Sequence, residues 1–204
     1  MDKKIFVRDK KTLLKELFRK SIHLISAVIP FLLSKYYWSV IIGFMIIVVL
    51  YYFSELFRLE GHEIPLISFV TETASRKRDE CKFVLGPVTL VLGILFAALV
   101  LPLEYAKVGI YALSFGDGLA SLVGKAIGRV EIPHTGGKTL EGSLACLIAV
   151  FTSTFIVTNN LLVSILVALM AMFIEVLPLS DFDNMIIPIS ISYFYFILCN
   201  YFGL

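Results

Sequence analysis

The sequence has few charged residues for its length. Of 204 residues, 17% are charged and 58% are hydrophobic, and the mean hydropathy is +0.89. Soluble domains carry about 25% charged and 45–50% apolar residues. This shortage of charge excludes an ordinary soluble globular domain. The net charge is only +2, and we expect no nucleic-acid partner.

Cysteine is also scarce, and a leader sequence is not apparent. Cys81, Cys146 and Cys199 are scattered and form no C-x-x-C pair, which excludes a disulfide framework and a zinc site. The basic start of the chain leads into an apolar run without a small-residue cleavage site. We therefore do not expect residues 1–20 to be a signal peptide.

Long apolar runs are abundant. Seven occur, at 21–36, 38–54, 83–102, 106–124, 141–158, 161–177 and 184–203. A helix needs about 20 residues to cross the hydrocarbon core, and about 17 is the lower limit. The predicted fold class is therefore all-α, a polytopic transmembrane bundle of about seven spans. The first two spans are predicted to form a helical hairpin with a tight connection at residues 35–37.

The placement of charge predicts the orientation. A cytoplasmic N-terminus puts segments 1–20, 55–82, 125–140 and 178–183 inside, and leaves only Lys35, Lys107 and Glu104 outside. This asymmetry follows the positive-inside rule. We expect an integral protein of a prokaryotic plasma membrane with its active site on the cytoplasmic side. Residues 1–20 form a basic amphipathic segment, either on an anionic leaflet or as a solvated tail, and 21–204 a single transmembrane catalytic domain.

Small residues recur every four positions in the segment 114–129. They are Gly116, Ala120, Gly124 and Gly128. On a helix they form a smooth face that another backbone can approach closely. Asp117 lies beside this face, with Ser114 and Ser121 one turn away. Because a carboxylate in a membrane helix costs about 2.5–3.5 kcal/mol, Asp117 is predicted to be a metal ligand or general base. An interhelical hydrogen bond is the alternative.

A glycine turn precedes the fifth apolar run. It contains Gly136, Gly137, Lys138 and Thr139, and Glu141 and Ser143 follow. The P-loop motif requires a glycine five positions before Gly137, and position 132 is isoleucine, so a P-loop fold is excluded. Free amides at a helix N-terminus still favour phosphate, with Glu141 holding a metal or orienting Lys138. The alternative is a turn with Thr139 as N-cap.

Carboxylates cluster again between the last two runs, where Glu175, Asp181 and Asp183 lie within nine residues. Capping of the last helix explains Asp181 or Asp183 but not Glu175, which lies inside an apolar run. Together with Asp117 these side chains suit Mg²⁺, which takes few protein oxygens and keeps contacts to substrate phosphates. The predicted metal ligands are Asp117, Glu175 and Asp183.

Two basic groups complete the set of candidate residues. They are Arg19-Lys20-x-x-His23 and Arg76-Lys77-Arg78. Arginine favours bidentate phosphate contacts, and control of membrane topology is the alternative for both groups.

The ordered set of motifs resembles the CTP-dependent lipid kinases, which include dolichol kinase, phytol kinase and the fungal-type diacylglycerol kinase. The matching residues are Arg19-Lys20-x-x-His23, Gly116-Asp117-Gly118-x-Ala120-Ser121-x-x-Gly124-Lys125-x-x-Gly128, Lys138-Thr139-x-Glu141-Gly142-Ser143 and Asp183-Asn184-x-x-x-Pro188. Phosphatidate cytidylyltransferase is related and shares the Lys-Thr-x-Glu-Gly-Ser block. Its C-terminal His-Gly-Gly element is absent here, which favours the kinase.

This resemblance implies CTP as phosphate donor, Mg²⁺ as cofactor and a membrane lipid alcohol as acceptor, and a homodimer is compatible with it. The expected catalytic residues are Asp117, Lys138 and Glu141. The expected nucleotide- and phosphate-binding residues are Ser114, Gly116, Ser121, Lys125, Gly136, Gly137, Thr139, Ser143, Asn184, Arg19, Lys20, His23, Arg76 and Arg78. The alternatives are a phosphatidate cytidylyltransferase and a small transporter with an acidic site at the membrane midplane.

Overall fold

A computed structural model describes residues 10–62 and 82–203. Over these ranges the helices are α1 (Lys10–Ile25), α2 (Ile29–Leu59), α3 (Gly86–Val100), α4 (Leu103–Tyr111), α5 (Gly118–Ile127), α6 (Leu140–Thr158), α7 (Leu161–Val176) and α8 (Asp183–Phe202). A 3₁₀ turn, Ser26–Val28, joins α1 to α2, and a π-helical segment, Ala112–Asp117, joins α4 to α5. The predicted basic group at Arg76 and Arg78 lies outside the described residues.

α1 lies antiparallel to the consecutive helical segments α4, Ala112–Asp117 and α5. Glu16, in the second turn of α1, contacts Lys125 near the end of α5. Ser26, just after α1, forms a hydrogen bond with Ser114 in the π-helical segment, with 2.6 Å between the two Oγ atoms. Later residues of the first segment therefore contact earlier residues of the second, which is the pattern of two antiparallel segments.

The chain reverses direction at Tyr36, where α2 leaves helical angles (φ −135°, ψ 49°). After this residue, Tyr37 Oη donates to Ala98 O at 2.6 Å and Tyr51 Oη donates to Val84 O at 3.0 Å, so the rest of α2 runs antiparallel to α3. Two residues join α3 to α4, and these helices pack on each other as antiparallel neighbours. The two parts of α2 therefore run in opposite directions, as predicted for a tight hairpin.

The described part of the chain is helical throughout each of the seven predicted apolar ranges, apart from short deviations at their ends. Three segments are long and apolar enough to cross a membrane: Leu14–Leu59, Leu140–Thr158 and Asp183–Phe202. α3 and α7 are apolar but shorter. The all-helical architecture is confirmed, with three candidate membrane-spanning segments. The count of seven crossings and the cytoplasmic N-terminus stay predictions.

The predicted small-residue face packs α5 against α6. A side chain added at Gly142 would place its Cβ 2.7 Å from the backbone oxygen of Ala120 and 3.3 Å from Cα of Gly124. One added at Gly116 would approach Cys146 Sγ to 3.2 Å. The helices therefore touch backbone to backbone, which confirms the prediction that this face admits close approach.

Candidate active site

A cavity of about 470 Å³ opens at the end of the bundle where α6 begins and α7 ends. Four chain segments meet there: α1, the π-helical segment with α5, the loop before α6, and the turn after α7. Its lining residues are Glu16, Arg19, Asp117, Ala120, Ser121, Gly124, Lys125, Thr135, Gly136, Gly137, Lys138, Thr139, Gly142, Glu175, Pro178, Ser180 and Asp183. The structure thus brings together predicted site residues that are far apart in the sequence.

Asp117 is the last residue of the π-helical segment and is 3% exposed. Its Oδ2 accepts a hydrogen bond from Lys20 Nζ and lies 3.0 Å from His23 Nδ1. A buried carboxylate is tolerated when it is paired with a cation, and Lys20, also buried, provides that cation. Asp117 lines the cavity, whereas Lys20 and His23 do not. These two side chains therefore contact Asp117 on the side away from the cavity.

Glu175, near the end of α7, holds Lys138. Lys138 Nζ donates to the backbone oxygen of Glu175 and lies 3.5 Å from its carboxylate Oε1. The other carboxylate oxygen of Glu175 accepts a hydrogen bond from Ser143 Oγ at 3.1 Å. The residue that orients Lys138 is therefore Glu175, whereas the sequence had suggested Glu141 for this part.

Glu141 supports the loop before α6. Its Oε1 and Oε2 accept from the backbone amides of Arg129 at 2.9 Å and Val130 at 3.3 Å. Glu141 is absent from the residues that line the cavity. The structure gives this predicted catalytic residue a backbone-holding role at the base of the loop.

The loop itself is a narrow hairpin between α5 and α6. Ile132 N donates to Lys138 O at 2.8 Å, and positive φ angles at Gly136 (75°) and Gly137 (96°) turn the chain. Thr139 Oγ1 accepts from Gly142 N at 3.2 Å, so Thr139 is the N-cap of α6. The capping alternative is therefore confirmed. Gly136 and Gly137 of the same loop also line the cavity.

α1 packs with its polar side inward. Leu14 and Leu17 are 64% and 53% exposed, whereas Glu16 is 6% exposed and lies on the cavity. Glu16 Oε1 accepts from Arg19 at 2.6 Å, and Oε2 accepts from Lys125 Nζ at 2.5 Å. Of the predicted basic residues, Lys20 is buried and Arg19 is 15% exposed, whereas Lys15 is exposed. The solvated and leaflet-bound alternatives for this segment both stay predictions. α1 also passes through the boundary drawn after residue 20 without interruption.

Several predicted binding residues lie away from the cavity. Ser114 is fully buried, and it shares a hydrogen bond with Ser26 and donates to Ile110 O at 2.8 Å. Asn184 Nδ2 donates to Gly86 O at 3.1 Å and to Thr89 Oγ1 at 3.2 Å. Gly116 and Ser143 are likewise absent from the lining. These contacts join helices, and a nucleotide-binding role for these residues stays a prediction.

Asp117, Glu175 and Asp183, the predicted magnesium ligands, all line the cavity. Among the residues that the structure describes, no three His, Cys, Asp or Glu side chains gather closely enough to hold an ion by themselves. Mg²⁺ is commonly held by one or two carboxylates together with substrate phosphates. The described residues therefore form no preformed all-protein metal site, and magnesium binding stays a prediction.

The sequence reasoning missed several lining residues. They are Glu16, Thr135, Pro178 and Ser180. Glu16 carries a usable signal, since it precedes Arg19, Lys20 and His23 by three, four and seven positions, a spacing that places all four side chains on one helix face. The other three offer no chemical pattern, and only the folding of their loops brings them to the cavity.

The comparisons with known proteins give one local similarity. Over 80 residues the chain is 31% identical to a protein of Glycine max described as "Probable phytol kinase 1, chloroplastic". The match covers 38% of this chain and 26% of that protein, so the chain matches about a quarter of its relative's length. No family model matches the chain, and no solved structure matches it.

Proposed function

We propose that this protein is a CTP-dependent kinase that transfers the γ-phosphate of CTP to the hydroxyl of a membrane lipid alcohol. The observation that carries the proposal is the cavity, in which Arg19, Lys125 and Lys138 meet Asp117, Glu175 and Asp183 beside apolar helices. The local similarity to a protein named as a phytol kinase supports a lipid kinase. CTP as the donor rests on the motif resemblance.

The charge of the cavity supports a metal-dependent reaction. Four carboxylates and three cationic side chains line it, so its ionised lining carries one more negative charge than positive. Such a lining does not attract a triphosphate by itself. Bound Mg²⁺ would neutralise the phosphates, and Glu175 and Asp183 are the carboxylates that we assign to it. Asp117, which is paired with Lys20 through one of its oxygens, is assigned to the lipid hydroxyl instead.

The chain's own residues then position the reactants. Lys138 and the amides of Gly136 and Gly137 contact phosphates from the loop, and Arg19 and Lys125 contact them from α1 and α5. Asp117 orients the lipid hydroxyl and accepts its proton as the hydroxyl oxygen attacks the γ-phosphorus. The bond between the γ-phosphorus and the bridging oxygen breaks, and CDP leaves. Positioning and charge neutralisation supply most of the rate in such transfers.

The test is label transfer from γ-labelled CTP with purified protein in detergent or vesicles. A panel of acceptors should include phytol, a polyprenol, dolichol, geranylgeraniol and diacylglycerol, with ATP and GTP as alternative donors. We expect labelled lipid phosphate with CTP and Mg²⁺, released CDP, and transfer lowered at least about 10²-fold by Asp117→Asn. Release of pyrophosphate with phosphatidate as acceptor, without label transfer to any alcohol, would indicate a cytidylyltransferase instead.

A further inference from the structure

A carboxylate that the sequence analysis did not single out lies between two cations of the cavity. Glu16 is 6% exposed, and its two oxygens accept from different side chains, Arg19 on the same helix and Lys125 on α5. All three residues line the cavity. A single acid thus joins two phosphate-binding candidates that belong to different helices.

The two cations need an anchor for different reasons. The side chain of Lys125 is 47% exposed and lies in the last turn of α5, and its contact with Glu16 limits the positions that this long side chain can take. Fixing a lysine side chain costs about 1.5–2 kcal/mol of conformational entropy. Arg19 is more enclosed, at 15% exposed, but it and Lys125 repel each other when brought to one phosphate site. The carboxylate of Glu16, which contacts both cations, reduces the entropy cost of ordering Lys125 and the repulsion between Arg19 and Lys125 before the ligand binds.

We propose that Glu16 is a positioning residue that sets Arg19 and Lys125 at a fixed spacing, so that together they form one phosphate subsite on the α1 side of the cavity. This inference rests on the proposed function and adds the subsite and its organiser. Glu16 touches neither reactant in this arrangement. It acts on nucleotide affinity through the two cations, because preorganised groups lose less freedom when the phosphate binds.

The experiment compares Glu16→Gln with the wild-type protein. Glutamine keeps the size of the side chain, but its amide NH₂ cannot accept a hydrogen bond, so one of the two cations loses its partner in either orientation. We expect the KM for CTP to rise about tenfold, the effect of losing one charge-assisted hydrogen bond, with kcat within about twofold. Glu16→Asp keeps the charge and should lose less than glutamine.

A double-mutant cycle separates this role from a general structural one. Glu16→Gln in a Lys125→Ala background should raise the KM for CTP much less than it does alone, because one of its two targets is gone. The matched control is Glu55→Gln, which removes the charge of another buried acid paired with an arginine three residues on but outside the cavity lining. It should leave the KM for CTP unchanged.

The outcomes that overturn the inference are distinct. A fall in KM would mean that Glu16 competes with phosphate, and an unchanged KM with a lower folded fraction would mean that it only stabilises α1. Equal KM ratios in both backgrounds would break its link to Lys125. Thermal-shift titration with CTP measures the same affinities without turnover. If the wild type transfers nothing, the proposed function fails while this titration still decides the role of Glu16, and no CTP binding overturns both.

Discussion

Two buried carboxylates in this protein are each paired with basic side chains, but they differ in what else surrounds the pair. Glu55 in α2 is 1% exposed, and its carboxylate accepts from Arg58 Nε at 2.8 Å and from the amide of Val84 at 2.7 Å. Arg58 also donates to Lys82 O at 2.8 Å. The pair is thereby tied to the backbone that leads into α3, and it holds two helices together.

Asp117 is as deeply buried, but its partners lie 94 to 97 positions away on α1, and the residue itself faces a cavity. A buried ion pair by itself does not identify a functional site, since purely structural ion pairs also occur in protein interiors. What distinguishes the two pairs is their surroundings. The Asp117 pair borders a cavity and is a candidate site, whereas the Glu55 pair joins two chain segments and is a structural anchor.

The largest effect is expected from Asp117→Asn, which tests whether the Asp117 pair is functional. We expect lipid-kinase activity to fall about 10²–10⁴-fold, the range for removing a group that handles a proton in the transition state. Some loss of stability will accompany it, because Lys20 is left buried without its charge partner. The measurement is kcat per folded protein, with folding checked by circular dichroism and size exclusion. Activity within tenfold of wild type would remove Asp117 from the mechanism.

A second test concerns the loop side of the cavity. Lys138→Ala should lower kcat/KM for CTP about 10²-fold, because a cation facing the phosphates in a closed site is lost. Lys138→Arg should recover little, since a planar guanidinium does not reproduce the single-point contact with the backbone oxygen of Glu175. Steady-state kinetics at varied CTP measures both. Full activity of the alanine variant would move the phosphate site away from this loop.

Glu55→Gln tests whether the Glu55–Arg58 pair has only a structural role. The free energy of unfolding should fall by about 1–3 kcal/mol, since buried hydrogen bonds to a charged group are weakened. Because Glu55 is outside the cavity lining, kcat and KM of the folded fraction should stay at wild-type values. Thermal denaturation in detergent, followed by kinetics below the transition, gives both numbers. A large change in KM with an unchanged melting temperature would contradict the assignment.

The smallest expected effect is that of Ser114→Ala. The Ser26–Ser114 hydrogen bond is buried and joins the 3₁₀ turn after α1 to the π-helical segment, so its loss should cost about 1 kcal/mol of stability. The KM for CTP should not change. A tenfold higher KM would instead support the sequence-based prediction that Ser114 binds nucleotide.

The sequence was sufficient to predict the helices and many of the residues that line the cavity. Apolar runs predict helices because every backbone group must be satisfied within lipid. The recurrence of small residues at Gly116, Ala120 and Gly124 predicts close approach of another backbone, and the structure identifies that neighbour as α6. The cost of an uncompensated charge in an apolar helix was enough to single out Asp117 and Glu175.

Only the tertiary structure decided which groups meet. Residue type marks Lys20, His23 and Asp117 as polar, but their pairing depends on α1 running antiparallel to α5, which no local pattern specifies. The same packing puts the polar side of α1 inward and makes Glu16 a bridge. The orientation of Lys138 by Glu175 rather than Glu141 arises in the same way, because contact between distant segments depends on the positions of whole helices.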